Sequence, residues 1–143
     1  MNEDLDRARR VAGTMYAADH ASRALGITVE IPEAGRAIAR MRVRPDMVNG
    51  FDLCHGGLIF TLADTAFAFA CNAYDRLSVA ASASIDFLRP GRLGEELVAT
   101  ATEVHRGERG GVYAVEVHNP DGALVAVFRG RSASRDKAVA APN

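Results

Sequence analysis

Residues 55–74 read HGGLIFTLADTAFAFACNAY, and Asp64 is the one charged side chain in that run. The stretch is apolar on almost every side, the pattern of a helix buried nearly all round. The run from Leu58 to Tyr74 is slightly short for a membrane span and carries an acid in its middle, which argues against a transmembrane reading. An ionised carboxylate in such a helix is costly unless something compensates it. Two readings follow. Either local hydroxyls such as Thr61 or Thr65, or partial exposure, satisfy Asp64, or the carboxylate has work to do. As a general base toward water it would contribute about 10²–10⁴-fold. As a nucleophile it would attack a carbonyl and form an anhydride.

Outward from this helix the periodicity changes. Upstream, residues 3–21 carry an apolar stripe of Leu5, Ala8, Val11, Ala12 and Met15 and predict a helix. Residues 27–31 and 37–43 alternate apolar with polar and predict two strands around a turn at 32–35. A loop at 49–57 leads into the central helix, expected over 57–73. Downstream, 79–88, 96–105, 112–118 and 124–131 are strand-like, separated by turn chemistry at 90–91, 106–111 and 119–122. Consecutive strands on short turns imply an antiparallel sheet. The fold class is therefore α+β, one sheet wrapped around one apolar helix. Residues 1–24 form an N-terminal helix region, 25–132 the main domain, and 133–143 a small, polar tail expected to fray. A single curved sheet covers only part of the central helix, so at least a dimer is expected, with the Asp64 side facing the partner.

At 143 residues and a net charge of −1, the chain is one domain with a proper core. Its Lys and Arg residues are scattered, without the electrostatic footprint of a nucleic-acid binder. Cys54 and Cys71 do not make a disulfide scaffold. The opening MNEDLDRARR lacks the basic-then-apolar pattern of a secretory signal, and a cytoplasmic protein is expected.

His55-Gly56-Gly57 marks the start of the helix, where unpaired N–H groups face any nearby negative charge. Glycine there either merely permits a tight junction or exposes the Gly56 N–H as an oxyanion donor, aided by the helix dipole. One such donor is worth about 2.7–4 kcal/mol in a transition state. His55 caps or orients the turn; with no second ligand nearby, no metal site is expected. Gly56 and Asp64 lie eight residues apart, roughly 12 Å along a helix. Catalytic contacts need about 3 Å, so one carbonyl cannot meet both groups of one chain. If both act on one substrate, they come from two protomers with antiparallel helices, giving two equivalent sites per dimer. A lone carboxylate and an N–H cradle are the parts that hydrolysis of an acyl group requires.

Other residues carry weaker signals. Cys54 beside His55 lacks an orienting third group and reads as an inert hydrophobe. Asn49 either fixes the loop over the helix start or serves as a turn residue. His20, His105 and His118 read as surface histidines. Arg89, Arg129 and Arg131 either meet an anionic ligand or are solvated strand ends.

An ordered set of motifs then adds to this reading. Asn49-Gly50, CHGG at 54–57, LADTAFA at 62–68, ACN at 70–72, ASIDFLRPG at 83–91, GVY at 111–113 and VAVFRG at 125–130 together resemble the signature of hotdog-fold acyl-CoA thioesterases. The likeness is sharpest to those of phenylacetate degradation and spans about residues 25–132. The resemblance implies a long sheet around a central helix, a homodimer and commonly a homotetramer. It implies Asp64 as the catalytic carboxylate, the Gly56 N–H as the carbonyl-polarising donor, and His55 and Asn49 as further active-site residues. Gly57, Ala83, Ser84, Arg89 and Pro90 are expected along the substrate, with pantetheine beside the 83–90 strand. Some relatives place a water-holding hydroxyl on the strand after the helix; here that position is Ala80. The implied substrates are phenylacetyl-CoA and its ring-hydroxylated derivatives, with coenzyme A as part of the substrate and no separate cofactor. The readings that remain beside it are a thioesterase for medium-chain aliphatic acyl-CoA, a hotdog dehydratase, and a non-catalytic acyl-CoA binder or sensor.

Overall fold

The computed structural model describes residues 2–140. Its elements run α1 (Glu3–Ala18), α2 (His20–Ala24), β1 (Thr28–Glu33), β2 (Arg36–Arg42), a 3-10 turn at Pro45–Met47, α3 (Gly56–Cys71), β3 (Ser78–Phe87), β4 (Glu96–Gly107), β5 (Gly110–His118) and β6 (Leu124–Ser134). The strands form one antiparallel sheet in the order β1-β2-β4-β5-β6-β3. The α+β class and the central helix are as expected.

α3 lies against the sheet across a core in which small side chains let helix and strands approach. Ala37, Ala39, Ala99 and Ala101 are fully buried on the inner faces of β2 and β4, beneath Leu62, Ala66 and Ala70 of the helix. Phe67 stacks obliquely against Tyr113 and Phe128, with ring centroids 5.7 and 5.9 Å apart, within the range of favourable aromatic pairs. Opposite Phe67 sits Gly130, where an added Cβ would lie 2.8 Å from the ring. Overpacking of this kind costs about 1–3 kcal/mol. Gly130→Ala should therefore lower the stability measured by urea unfolding by that much with the slope unchanged; an unaltered midpoint would mean that this approach is not tight.

The helix is not covered all round. Gly57 is exposed, and Thr61, Asp64 and Ala68 are only half-buried. At spacings of four, three and four they make one stripe along α3. Beside this stripe runs β3, an edge strand paired only with β6 and exposed at eight of its ten positions. The opposite edge, β1, is packed against α1.

Four local expectations need correction. The helix expected over 3–21 breaks at Asp19, whose carboxylate caps α2 by accepting from the Ser22 N–H and Oγ at 3.0 and 2.7 Å. A competing cap is stronger than the continuing apolar stripe. The turn expected at 32–35 shrinks, since β1 continues through Pro32 to Glu33; an edge strand tolerates proline. The Pro90-Gly91 segment does not close a hairpin between β3 and β4. Instead Gly91 O accepts the Cys54 N–H at 2.8 Å, which ties it to the loop before α3 and leaves β3 at the far edge.

The tail expected to fray from 133 is held through Ala140, while residues 141–143 lie outside the described residues. β6 continues to Ser134, Leu77 N–H donates to Lys137 O at 2.7 Å, and Arg135 N–H donates to Leu77 O at 2.8 Å. Asp75 Oδ1 then accepts from the N–H groups of Val139 and Ala140, both at 2.9 Å. Backbone pairing and the Asp75 carboxylate, not the segment's own composition, order it.

Candidate active site

The loop entering α3 is fixed by one side chain and three backbone anchors. Asn49 Oδ1 accepts from the N–H groups of Phe51 and Leu53 at 2.9 and 3.2 Å, and Asn49 N–H donates to Leu53 O at 2.7 Å. These bonds close a turn within residues 49–53, so Asn49 shapes the loop from inside a turn. Met47 O accepts the His55 N–H at 2.8 Å, alongside the Gly91 bond to Cys54.

His55 is the N-cap of α3. Its Nδ1 accepts the Gly57 N–H at 3.0 Å, which puts the ring proton on Nε2. Gly57, expected along the substrate, therefore has its N–H committed to the imidazole. The Gly56 N–H has no hydrogen-bond partner among the described residues. It is the orphan donor that a helix start leaves, and it borders a cavity of about 310 Å³ lined by Asn49, Leu53, Cys54, Gly56, Ile59, Phe87, Leu88, Arg89 and Pro90. The Phe87 ring sits against Gly56, 3.2 Å from where a Cβ would stand. Arg89 is exposed at this cavity and reaches Leu124 O at 3.3 Å.

Asp64 sits further along α3, half-buried in the open stripe. The hydroxyls that were to satisfy it are turned elsewhere. Thr61 Oγ1 donates to Gly57 O at 2.9 Å, and Thr65 Oγ1 donates to Thr61 O at 2.7 Å and meets Ser22 Oγ at 3.1 Å. No hydrogen bond reaches the Asp64 carboxylate among the described residues, and burial pushes its pKa above the ordinary value of 3.8. The carboxylate opens on a second cavity, of about 290 Å³, lined by Met15, Asp64, Phe67, Ala68, Cys71, Asn72, Leu77, Ser78, Val79, Ala80 and Val139.

The two cavities share no residue. One chain thus holds a free N–H donor and a free carboxylate in separate openings. The two residues stand eight positions apart on the helix, roughly 12 Å.

Of the remaining expected positions, Arg89 and Pro90 reach the Gly56 cavity, but Ala83 and Ser84 do not. They lie mid-way along β3 and line a third cleft with Val104, His105, Val112, Arg129 and Arg131. Ala80, without a hydroxyl, borders Asp64. Neither cysteine is set up as a nucleophile: burial pushes the Cys54 thiol up to about 11 and that of Cys71 up to about 12, so the reactive thiolate is scarce. Sequence reasoning passed over Phe87 and Leu53 at the first cavity and Met15 and Val139 at the second. ASIDFLRPG pointed at Phe87, but nothing in the sequence pointed at Val139.

Residues 51–126 match the family model described as the thioesterase superfamily. Over 126 residues, the chain is 46% identical to the acyl-coenzyme A thioesterase PaaI of Escherichia coli (strain K12), covering 88% of this chain and 90% of that protein. The chain belongs to the thioesterase superfamily. Its fold superimposes on the structure of the E. coli PaaI protein from the phenylacetic acid degradation operon with a TM-score of 0.92 at 43% identity, over 94% of this chain and 97% of that one. A mutant of the phenylacetic acid degradation protein PaaI from Thermus thermophilus matches with a TM-score of 0.75 at 38% identity, over 80% of this chain and 96% of that one. The smu.793 protein of Streptococcus mutans UA159, solved bound to acetyl-CoA, gives a TM-score of 0.75 at 28% identity, over 78% of this chain and 90% of that one. The fold of this thioesterase-superfamily chain is the hotdog. The expected resemblance is therefore correct, and PaaI is among the chain's relatives.

Proposed function

We propose that this protein is a cytoplasmic acyl-CoA thioesterase that hydrolyses phenylacetyl-CoA or its ring-hydroxylated derivatives, with each active site built from two protomers. One observation carries the reading: a free Gly56 N–H and a free Asp64 carboxylate stand on one helix, in two cavities that share no wall. A two-fold axis that brings the open stripes of two α3 helices together, antiparallel, sets Gly56 of one protomer against Asp64 of the other. The β3 edge, with its outward backbone groups unpaired, is suited to continue the sheet into the partner. Two such dimers would make the homotetramer that the family resemblance implies.

In this arrangement the Gly56 N–H donates to the thioester carbonyl oxygen and stabilises the oxyanion as it forms. Asp64 of the partner subunit takes a proton from water, whose oxygen attacks the carbonyl carbon. Collapse of the tetrahedral intermediate expels the coenzyme A thiolate, which recovers the proton, and leaves the free acid. Burial makes Asp64 a stronger base than an exposed carboxylate, which suits it to take a proton from water. His55 and Asn49 act on the helix start and the loop. The aromatic acyl group is supported by the phenylacetic acid context of the E. coli and T. thermophilus relatives and by the apolar side chains of the Asp64 cavity.

Thiol release from an acyl-CoA panel tests the reading. Phenylacetyl- and hydroxyphenylacetyl-CoA are expected to turn over faster than acetyl- or octanoyl-CoA. Preference for octanoyl-CoA would move the assignment to a medium-chain aliphatic enzyme. Tight acyl-CoA binding without any turnover would make the protein a binder or sensor.

A further inference from the structure

The cavity at Asp64 has walls of unequal origin. Phe67, Ala68, Cys71 and Asn72 come from α3 and its end, and the run from Leu77 to Ala80 from the start of β3. Met15 and Val139 alone come from elsewhere, one from α1 and one from the C-terminal segment. Both bracket the α3–β3 connection, and Asp75 in that connection joins them. At a φ of 59°, Asp75 presents Oδ1 to the N–H groups of Val139 and Ala140 at 2.9 Å, and its Oδ2 faces Arg10 of α1 at 3.8 Å. The C-terminal wall is thus seated by a specific acceptor.

The polar groups at this cavity are already engaged. Asn72 Nδ2 donates to Ala68 O and Ser78 O, Asn72 Oδ1 accepts the Ser78 N–H, and Ser78 Oγ bonds Arg76 O and Ser134 Oγ. Apart from Asp64 itself, no polar side chain of this cavity remains to greet an amide or a phosphate. The Gly56 cavity differs, with an uncommitted Asn49 amide nitrogen and the exposed Arg89. A thioester has one apolar arm and one polar, anionic arm. Burial favours placing the apolar arm in the Asp64 cavity, while charge and hydrogen bonding favour the anionic arm at Gly56.

We infer that the Asp64 cavity receives the acyl arm, that Met15 and Val139 set the acyl length it accepts, and that Asp75 is the positioning residue that seats Val139. The inference rests on the thioesterase reading above. Met15 is unbranched and adaptable, a side chain that moulds to an aryl ring yet still closes the space.

The test is kcat/KM across a series from acetyl- to dodecanoyl-CoA plus phenylacetyl-CoA. Met15→Ala and Val139→Ala should each raise the octanoyl-to-acetyl ratio by about tenfold or more, the scale of one or two methylenes in an apolar pocket. Met15→Phe should lower it. Asp75→Ala should shift the ratio in the same direction as Val139→Ala although Asp75 lines no wall. Asp75→Asn, which keeps an oxygen acceptor and tolerates the positive φ, should restore the wild-type profile. Unfolding midpoints identify any variant that fails to fold, and Val139 at the chain's end supplies a test independent of α1. An unchanged ratio in both Met15→Ala and Val139→Ala, or a shift in Leu53→Ala instead, would overturn the inference, the latter by placing the acyl arm at Gly56. A wild-type protein that hydrolyses no thioester would defeat the proposed function alone. The wall would then be judged by calorimetric affinity for the same acyl-CoA series.

Discussion

Asp64→Asn is expected to lose about 10²–10⁴-fold in turnover, the worth of a general base, while remaining as folded as the parent chain. Two facts separate these outcomes. The carboxylate has no hydrogen-bond partner to lose among the described residues, so its replacement breaks nothing local. Burial also raises its pKa above 3.8, which fixes the sign of its linkage to stability. A carboxylic acid whose folded pKa exceeds its unfolded one binds protons more readily when folded. Its ionisation therefore weakens the fold progressively as pH rises from the unfolded value through the folded one. At neutral pH the Asp64→Asn variant lacks that penalty and should melt at the same temperature as wild type or above it. The difference should vanish in acid, once Asp64 is protonated in both states. Activity runs the other way: the base must be ionised, so the acid limb of the kcat/KM profile should lie above the ordinary carboxylate value. Wild-type rates from Asp64→Asn would remove the carboxylate from the mechanism.

Gly56→Pro should lower turnover by about 10²–10³-fold, the effect of deleting one oxyanion donor. The substitution suits its position. Gly56 is the first residue of α3, where proline's missing N–H and fixed φ are tolerated. His55 already has φ −58° and ψ 131°, the extended conformation that a residue before proline prefers. Crowding is the competing explanation, because a Cβ at this position comes within 3.2 Å of Phe87. Gly56→Ala introduces the same crowding and keeps the N–H. It should therefore lose far less activity than Gly56→Pro in thiol-release assays. Equal losses in the two variants would mean that the ring contact, and not the donor, accounts for the effect.

The parts of this site that sequence made legible are those set by local rules. A single acid in an apolar run and a glycine pair at a helix start can be read without a fold, and the period changes gave the order of helix and strands. What stayed hidden depends on which hydrogen-bond partner a group takes, near in sequence or far from it. Asp19 reads as one more polar position in an amphipathic stripe until its carboxylate is seen capping the Ser22 backbone. The 135–140 segment has the composition of a fraying tail, yet Asp75, more than sixty residues away, holds it. Gly57 resembles Gly56 in sequence and differs only because the His55 ring takes its N–H. Ala83 and Ser84 belong to a motif that runs into the Gly56 cavity at Phe87, but the length of β3 carries them away from it.

The central claim is that each active site draws on two chains, and mixed dimers test it most directly. Asp64→Asn and Gly56→Pro homodimers should both be nearly inactive. A purified heterodimer of the two would contain one site with both defects and one with neither. Thiol release from phenylacetyl-CoA should then recover to about half the wild-type rate per dimer. Heterodimers that form, stay folded and remain as inactive as their parents would contradict the shared site.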